Sequence, residues 1–263
     1  MNRLARLVTS CNKERLDAEL ASRFVEIERD AELLEAVACL TTARHGVLKT
    51  TLQRALRFYL SDFDANALLG MYPMLLLCTS HWQRLLDGGG KRLLDVGAGS
   101  GDVTSALAPL FEEIHAVETS RGMARRLRRR GYDVHSVDIA EAGPPGTDYD
   151  VVTCLNVLDR CANPRALLRS AKLALAPGGR LVVALALPYR PFFYAGASTP
   201  EPSQRLDCSG ASFEEQVMAL VEHELSPLGL AVERWARAPY LSAGDKDRAL
   251  YELDDVVLVL QHR

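Results

Sequence analysis

The chain has 263 residues, 48% apolar and 25% charged, enough for one large domain or one domain with a helical extension. A formal net charge of −3 gives no general attraction to nucleic acid or to anionic membranes, so both are set aside as partners unless a local patch argues otherwise. The strongest apolar run, Met71 to Cys78, is too short to cross a bilayer and contains Pro73, and the N-terminus lacks the continuous apolar stretch of a secretion signal.

Up to residue 88 the pattern is helical. DAELASRFVEIERDAELLEAVACL places apolar residues three and four apart, HGVLKTTLQRALRFYLS repeats the pattern, and ANALLGMYPMLLLCTSHWQRLL follows with a break near Gly70 and Pro73. Gly88-Gly89-Gly90 closes this stretch. The expected division is a helical region over 1–88, acting as a cap or a substrate-groove element, and a catalytic domain over 89–263. Trp82, Tyr59 and Tyr72 in the first part read equally well as core or as the wall of a peptide groove.

From Lys91 short apolar strands alternate with helices, which predicts a parallel sheet covered on both faces. Strands are read at RLLDVG, EIHAVE, YDVHSVD, YDVVTCL and GGRLVVALAL, with helices at VTSALAPLF, GMARRLRRR and PRALLRSAKLAL between them. After Pro188 come a polar stretch, AGASTPEPSQRLDCSG, expected to be a mobile surface loop, a helix near FEEQVMALVEHELSPLG, and a closing hairpin of LAVERWARAPYL and DDVVLVLQ. The predicted fold is α/β, a seven-stranded doubly wound Rossmann-like sheet with an N-terminal helical extension.

RLLDVGAGSGDVTSAL runs a strand through Asp95 into Gly97, Gly99 and Gly101 and then a helix. Glycines there let the backbone approach a nucleoside lying across the strand ends. A nicotinamide loop would want glycine where Asp102 stands, so Asp95 and Asp102 suit the amino and sulfonium groups of S-adenosylmethionine better than a pyrophosphate. Glu118, ending the second strand, can accept both ribose hydroxyls. Asp138, ending the third, fits either an adenine amino group or a helix N-cap. Asn156 and Asp159, three apart after the fourth strand, can both face the cleft, although a cap or a partner for Arg160 also explains Asp159.

LLDVGAGSGDVT, FEEIHAVETS, CLNVLDRC, ALALPYRPF, FEEQV, APYLSAGD and YELDDVVLVL together resemble the DREV family, also called methyltransferase-like nine, in order and near-matching spacing over residues 90–260. The resemblance implies a S-adenosyl-L-methionine-dependent protein-histidine methyltransferase that modifies the π (Nδ1) nitrogen, in animal members within His-x-His segments, and releases S-adenosyl-L-homocysteine with no metal. It puts Asn156 and Asp159 beside the target imidazole, Tyr251 at the substrate pocket, Asn156 also at the cofactor, and Asp95, Gly97, Gly99, Gly101, Glu118 and Asp138 around the cofactor. Three features depart from animal members: Arg190 replaces a histidine, Asp138 replaces an asparagine, and LLGMYPMLLL lacks a Gly-Arg-Gly.

Six cysteines at irregular spacing (Cys11, Cys39, Cys78, Cys154, Cys161 and Cys208) predict reduced thiols and a cytoplasmic protein. Six scattered histidines show no metal-site spacing. The arginine-rich helix at 121–130 reads as a solvated face, or as a dock for an acidic substrate or RNA. Competing functions are an N- or O-methyltransferase acting on a small molecule, a peptide natural product or RNA, and a non-catalytic cofactor-binding scaffold.

Overall fold

The computed structural model describes residues 7–43, 46–56, 69–192, 201–245 and 247–263; Tyr59 and His45 lie outside them. Helices α1 (Ala18–Arg23), α2 (Ala31–Thr42) and α3 (Val47–Leu56) come first, then strand β1 (Met74–Leu75) and helix α4 (Thr79–Leu86). The alternating part runs β2 (Gly90–Val96), α5 (Asp102–Leu107), β3 (Phe111–Val117), α6 (Arg121–Arg129), β4 (Asp133–His135), α7 (Ile139–Ala142) and β5 (Tyr149–Leu155). It continues through α8 (Pro164–Leu173), β6 (Leu175–Leu187), α9 (Phe213–Leu220), β7 (Leu230–Ala243) and β8 (Leu250–His262).

The strands form one sheet in the order β1-β7-β8-β6-β5-β2-β3-β4. β4, β3, β2, β5 and β6 pair in parallel, while β8 is antiparallel to both β6 and β7. Its two faces explain the continuous apolar strands. On β8, Val256, Leu258 and Leu260 enter one core cluster and Val257 and Val259 the other, so none of these five positions is free to be polar. The strand order reverses between β2 and β5, and the crevice at that point, outside the carboxyl ends, is where such sheets bind ligands.

Seven strands were expected and eight are present among the described residues. The extra one, β1, pairs antiparallel with the end of β7 (Met74 opposite Ser242), a two-residue ladder too short to show as alternation in the sequence. The N-terminal region shares the core of the catalytic part. Trp235 of β7 is fully buried, donates its indole N–H to the Leu20 carbonyl at 2.8 Å, and packs edge-on against Phe24 with ring centroids 4.7 Å apart. The Val25 N–H returns a bond to the Trp235 carbonyl at 2.8 Å. This is why the helical pattern over residues 17–40 breaks at Phe24. The chain runs extended beside β7 and restarts as α2 only where Asp30 caps the Leu33 N–H at 3.0 Å. Among the described residues no helix is long and apolar enough to cross a membrane, and all six cysteines are unpaired.

Candidate active site

The loop between β2 and α5 is held from behind. Asp95 is buried and its two carboxylate oxygens accept from Thr104 Oγ1 (2.5 Å) and Thr153 Oγ1 (2.6 Å), tying β2 to α5 and to β5. The structure gives Asp95 a positioning part under the loop. Burial raises its pKa to about 6 against the lowering effect of the two hydroxyls. Between about pH 4 and pH 6 the folded chain then keeps a proton that the unfolded chain releases, so stability falls as pH rises through that window. In Asp95→Asn that slope is expected to flatten by on the order of 3 kcal/mol across the window. Urea unfolding from pH 4 to 7 measures it, and equal slopes in both proteins would show that Asp95 is ionised throughout.

Gly97, Gly99 and Gly101 all have positive φ (72°, 56° and 77°), the left-handed region that favours glycine. A β-carbon on Gly97 would stand 2.6 Å from Val157 Cγ2, and one on Gly101 2.7 Å from Leu127 Cδ2, so these two are packed against protein. One on Gly99 would meet nothing within 4 Å. Of the three, Gly99 alone has open space where a β-carbon would stand. Its N–H donates to Glu118 Oε2 at 2.9 Å, and the Ser120 N–H donates to Glu118 Oε1 at 2.7 Å. Burial raises the Glu118 pKa while these N–H groups lower it. Each oxygen keeps a second lone pair, so the carboxylate is fixed in place and still able to accept. Asp138 is exposed beyond β4 and caps α7 through the Ala140 N–H at 2.9 Å.

The turn after β5 gathers buried acceptors. Asn156 adopts φ 54° and donates through Nδ2 to Asp255 Oδ2 at 2.5 Å, while its N–H is held by the Ala184 carbonyl at 3.0 Å. Asp159, 4% exposed, accepts from Arg160 Nε at 2.8 Å through Oδ2. Asn156 Oδ1, Asp159 Oδ1 and Asp255 Oδ1 are buried with no hydrogen-bond partner among the described residues. Burial raises the pKa of both acids, with Arg160 opposing it at Asp159 and the Asn156 amide at Asp255. Unsatisfied buried acceptors are rare because each is costly, and three around one turn mark a place built to receive donors or positive charge. Arg160 in turn lies over the Phe192 ring at 4.1 Å, bringing the segment after β6 across the turn.

Tyr251 does not touch this group. It sits on the same face of β8 as Asp255 but four residues along, roughly 13 Å away at strand spacing. Its hydroxyl donates to Asp245 Oδ2 at 2.8 Å, and its ring meets Tyr72 at 6.5 Å. Sequence reasoning missed Asp255 and Tyr240. Tyr240 is half-buried on β7 and donates its hydroxyl to Met74 Sδ at 2.7 Å; burial raises its pKa, and Asp255, Asp159 and Asp102 add to the rise.

Other expectations resolve differently. Asp102 accepts from Ser100 Oγ at 2.7 Å and pairs with Arg130, with Arg126 at 3.9 Å, so it offsets charge of the arginine-rich helix. Trp82 is core. The described part of the polar stretch is tied down: Ser203 and Gln204 bond the Ala162 carbonyl and Leu206 is buried, because the chain there closes over α8. The histidines are not all scattered, since His115 and His135 come together across β3 and β4.

An open glycine side, a fixed carboxylate at the end of β3 and a cation-seeking group at the end of β5 fit an adenosyl sulfonium laid across the strand ends. Fold and site together define a S-adenosylmethionine-dependent methyltransferase. The family model for DREV methyltransferases matches residues 9–262, and the chain belongs to that family. It is also similar to ubiquinone biosynthesis O-methyltransferases of Xanthomonas oryzae pv. oryzae strain PXO99A (28% identity, 64% of this chain and 69% of that protein) and of Xanthomonas campestris pv. campestris strain B100 (29%, 62% and 67%). Among solved structures it resembles the N-methyltransferase NodS of Bradyrhizobium japonicum WM9 in complex with S-adenosyl-L-homocysteine (16% identity, 70% of this chain, 85% of that chain, TM-score 0.46). A TehB-like S-adenosylmethionine-dependent methyltransferase of Corynebacterium glutamicum is similar at the same level (14%, 70%, 87%, 0.46).

Proposed function

We propose that this chain methylates the π (Nδ1) nitrogen of histidine in a protein or peptide, in segments of the His-x-His kind. The observation that carries the reading is the trio of buried, unpartnered acceptors on Asn156, Asp159 and Asp255. A neutral imidazole brings one N–H and becomes a cation when its other nitrogen is methylated. Acceptors and buried carboxylates stabilise both features, whereas a phenolate would be repelled by them.

S-adenosylmethionine supplies a methyl group on a sulfonium, a good leaving group. Glu118 would accept its ribose hydroxyls and Asp138 its adenine amino group, Gly97, Gly99 and Gly101 would form the loop that receives it, and Asn156 would offer an acceptor to its positive end. No strong base is needed for imidazole, whose ordinary pKa of about 6.5 leaves it mostly neutral. Asp159 Oδ1 accepts the Nε2–H, which leaves the lone pair on Nδ1 and fixes the tautomer. Asp255 holds the Asn156 amide by its Nδ2, which fixes the side chain and leaves Oδ1 without a partner of its own among the described residues. Tyr251 donates its O–H to Asp245, so its oxygen remains an acceptor for an outer part of the substrate.

The test is incubation of the full-length protein with labelled S-adenosylmethionine and histidine peptides, some with alternating histidines, followed by isomer-resolved amino-acid analysis. Nδ1-methylhistidine that disappears in Asp159→Ala is the expected result. Transfer to small phenolic acceptors alone, with cofactor binding intact, would overturn the histidine reading in favour of the O-methyl chemistry named for the Xanthomonas relatives.

A further inference from the structure

The sheet edge opposite β1 carries a group of side chains that methyl transfer does not use. β3 and β4 pair in parallel with His115 opposite Asp133 and Val117 opposite His135. Residues two apart on a strand, and those paired across it, share a face, so His115, Asp133 and His135 project together. His115 Nδ1 stands 3.4 Å from His135 Nε2 and 3.7 Å from Asp133 Oδ2. The three ligand atoms all lie within 4.8 Å of one another. The two imidazole rings are stacked with centroids 5.7 Å apart, and the edge of Tyr149 supports His115 at 5.4 Å.

We propose that His115 Nδ1, His135 Nε2 and Asp133 Oδ2 bind a divalent transition metal, zinc being the best match, with water completing the coordination. At Zn–N and Zn–O bonds of about 2.0–2.2 Å, donors on a tetrahedral ion stand roughly 3.3–3.6 Å apart. The 3.4 Å between the two ring nitrogens meets that spacing and is long for a hydrogen bond, which runs about 2.7–3.2 Å. Two imidazoles and one carboxylate suit zinc over calcium or magnesium, which take oxygen ligands. On the far side of His115, Nε2 faces Glu113 Oε2 at 3.9 Å, the side on which a carboxylate orients a metal-bound histidine. The metal is a clip with no part in the chemistry. β4 is three residues long and paired on one side only. The His135 carbonyl also accepts the Glu118 N–H at 3.1 Å, so fastening β4 steadies the strand end that carries Glu118.

Full-length protein stripped by chelator is titrated with zinc chloride by calorimetry and with cobalt chloride by absorption spectroscopy. One equivalent bound per chain is expected, with a cobalt spectrum free of thiolate charge transfer and a thermal midpoint about 5 °C higher at a hundredfold excess over Kd. His135→Gln and Asp133→Asn, the latter at an exposed position, are expected to keep the metal-free midpoint and lose both binding and shift. Undiminished uptake in His135→Gln, a thiolate band that assigns the metal to cysteine, or no uptake by the parent protein would each overturn the site.

Discussion

Asp159→Asn is expected to lower kcat by about 100- to 1000-fold, the range found when one preorganised group at a developing charge is removed, with S-adenosylmethionine affinity unchanged. The side chain keeps its size, so the turn after β5 is not emptied, and Arg160 still finds an oxygen to bond. What changes is the unpartnered oxygen, Oδ1. An amide carries no net charge to balance an imidazolium, and in one of its two orientations it offers N–H to the substrate's own N–H. The fold should not suffer, because burial holds this carboxyl above the ordinary carboxylate range and the neutral amide avoids that desolvation. Both proteins should lose rate below about pH 6.5 as the substrate imidazole itself protonates, and only the parent should show the further loss as pH falls through the raised Asp159 value, since only the ionised carboxylate is purely an acceptor. Steady-state kinetics from pH 4 to 8, beside cofactor titration by calorimetry, separate the two effects. Unchanged turnover would take Asp159 out of the mechanism.

The strands of the sheet were legible because burial on both faces forces apolar runs, and their order follows from alternation with helices. β1 was not legible, since its two residues are made a strand by the end of β7 and not by any pattern of their own. The site divides in the same way. Glu118 and the glycines sit at strand ends, where position along the chain predicts position in space. The ion pair of Asp102 was not legible because its partner, Arg130, lies 28 residues away at the end of another helix. Asp255 left a signal that went unused: an acid followed directly by VVLVL must be buried with that strand, and a carboxylate in such a place needs a partner or a purpose. The pairing of His115 with His135 was invisible because only the β3–β4 register brings them together.

Two substitutions in one loop should separate folding from cofactor binding. Gly97→Ala is expected to cost about 3 kcal/mol, combining the left-handed backbone penalty of about 1–2 kcal/mol with the strain of an added methyl in packed surroundings. At φ 72° its β-carbon lies 2.6 Å from Val157 Cγ2, so Val157 has to move. Val157 follows Asn156, whose own left-handed backbone and bond to Asp255 leave little slack. The thermal midpoint should fall by about 10 °C. Gly99→Ala bears only the backbone penalty, about 1–2 kcal/mol, because its methyl meets no protein atom within 4 Å. That methyl enters the space assigned to the cofactor, so S-adenosylmethionine affinity should fall at least about 100-fold, about 2.7 kcal/mol and more than the backbone penalty alone. Calorimetric affinity and thermal midpoints of both variants give the comparison. If Gly99→Ala binds the cofactor as the parent does, S-adenosylmethionine does not lie on the open side of this loop, and the places proposed for Glu118 and Asn156 around it fall with that geometry.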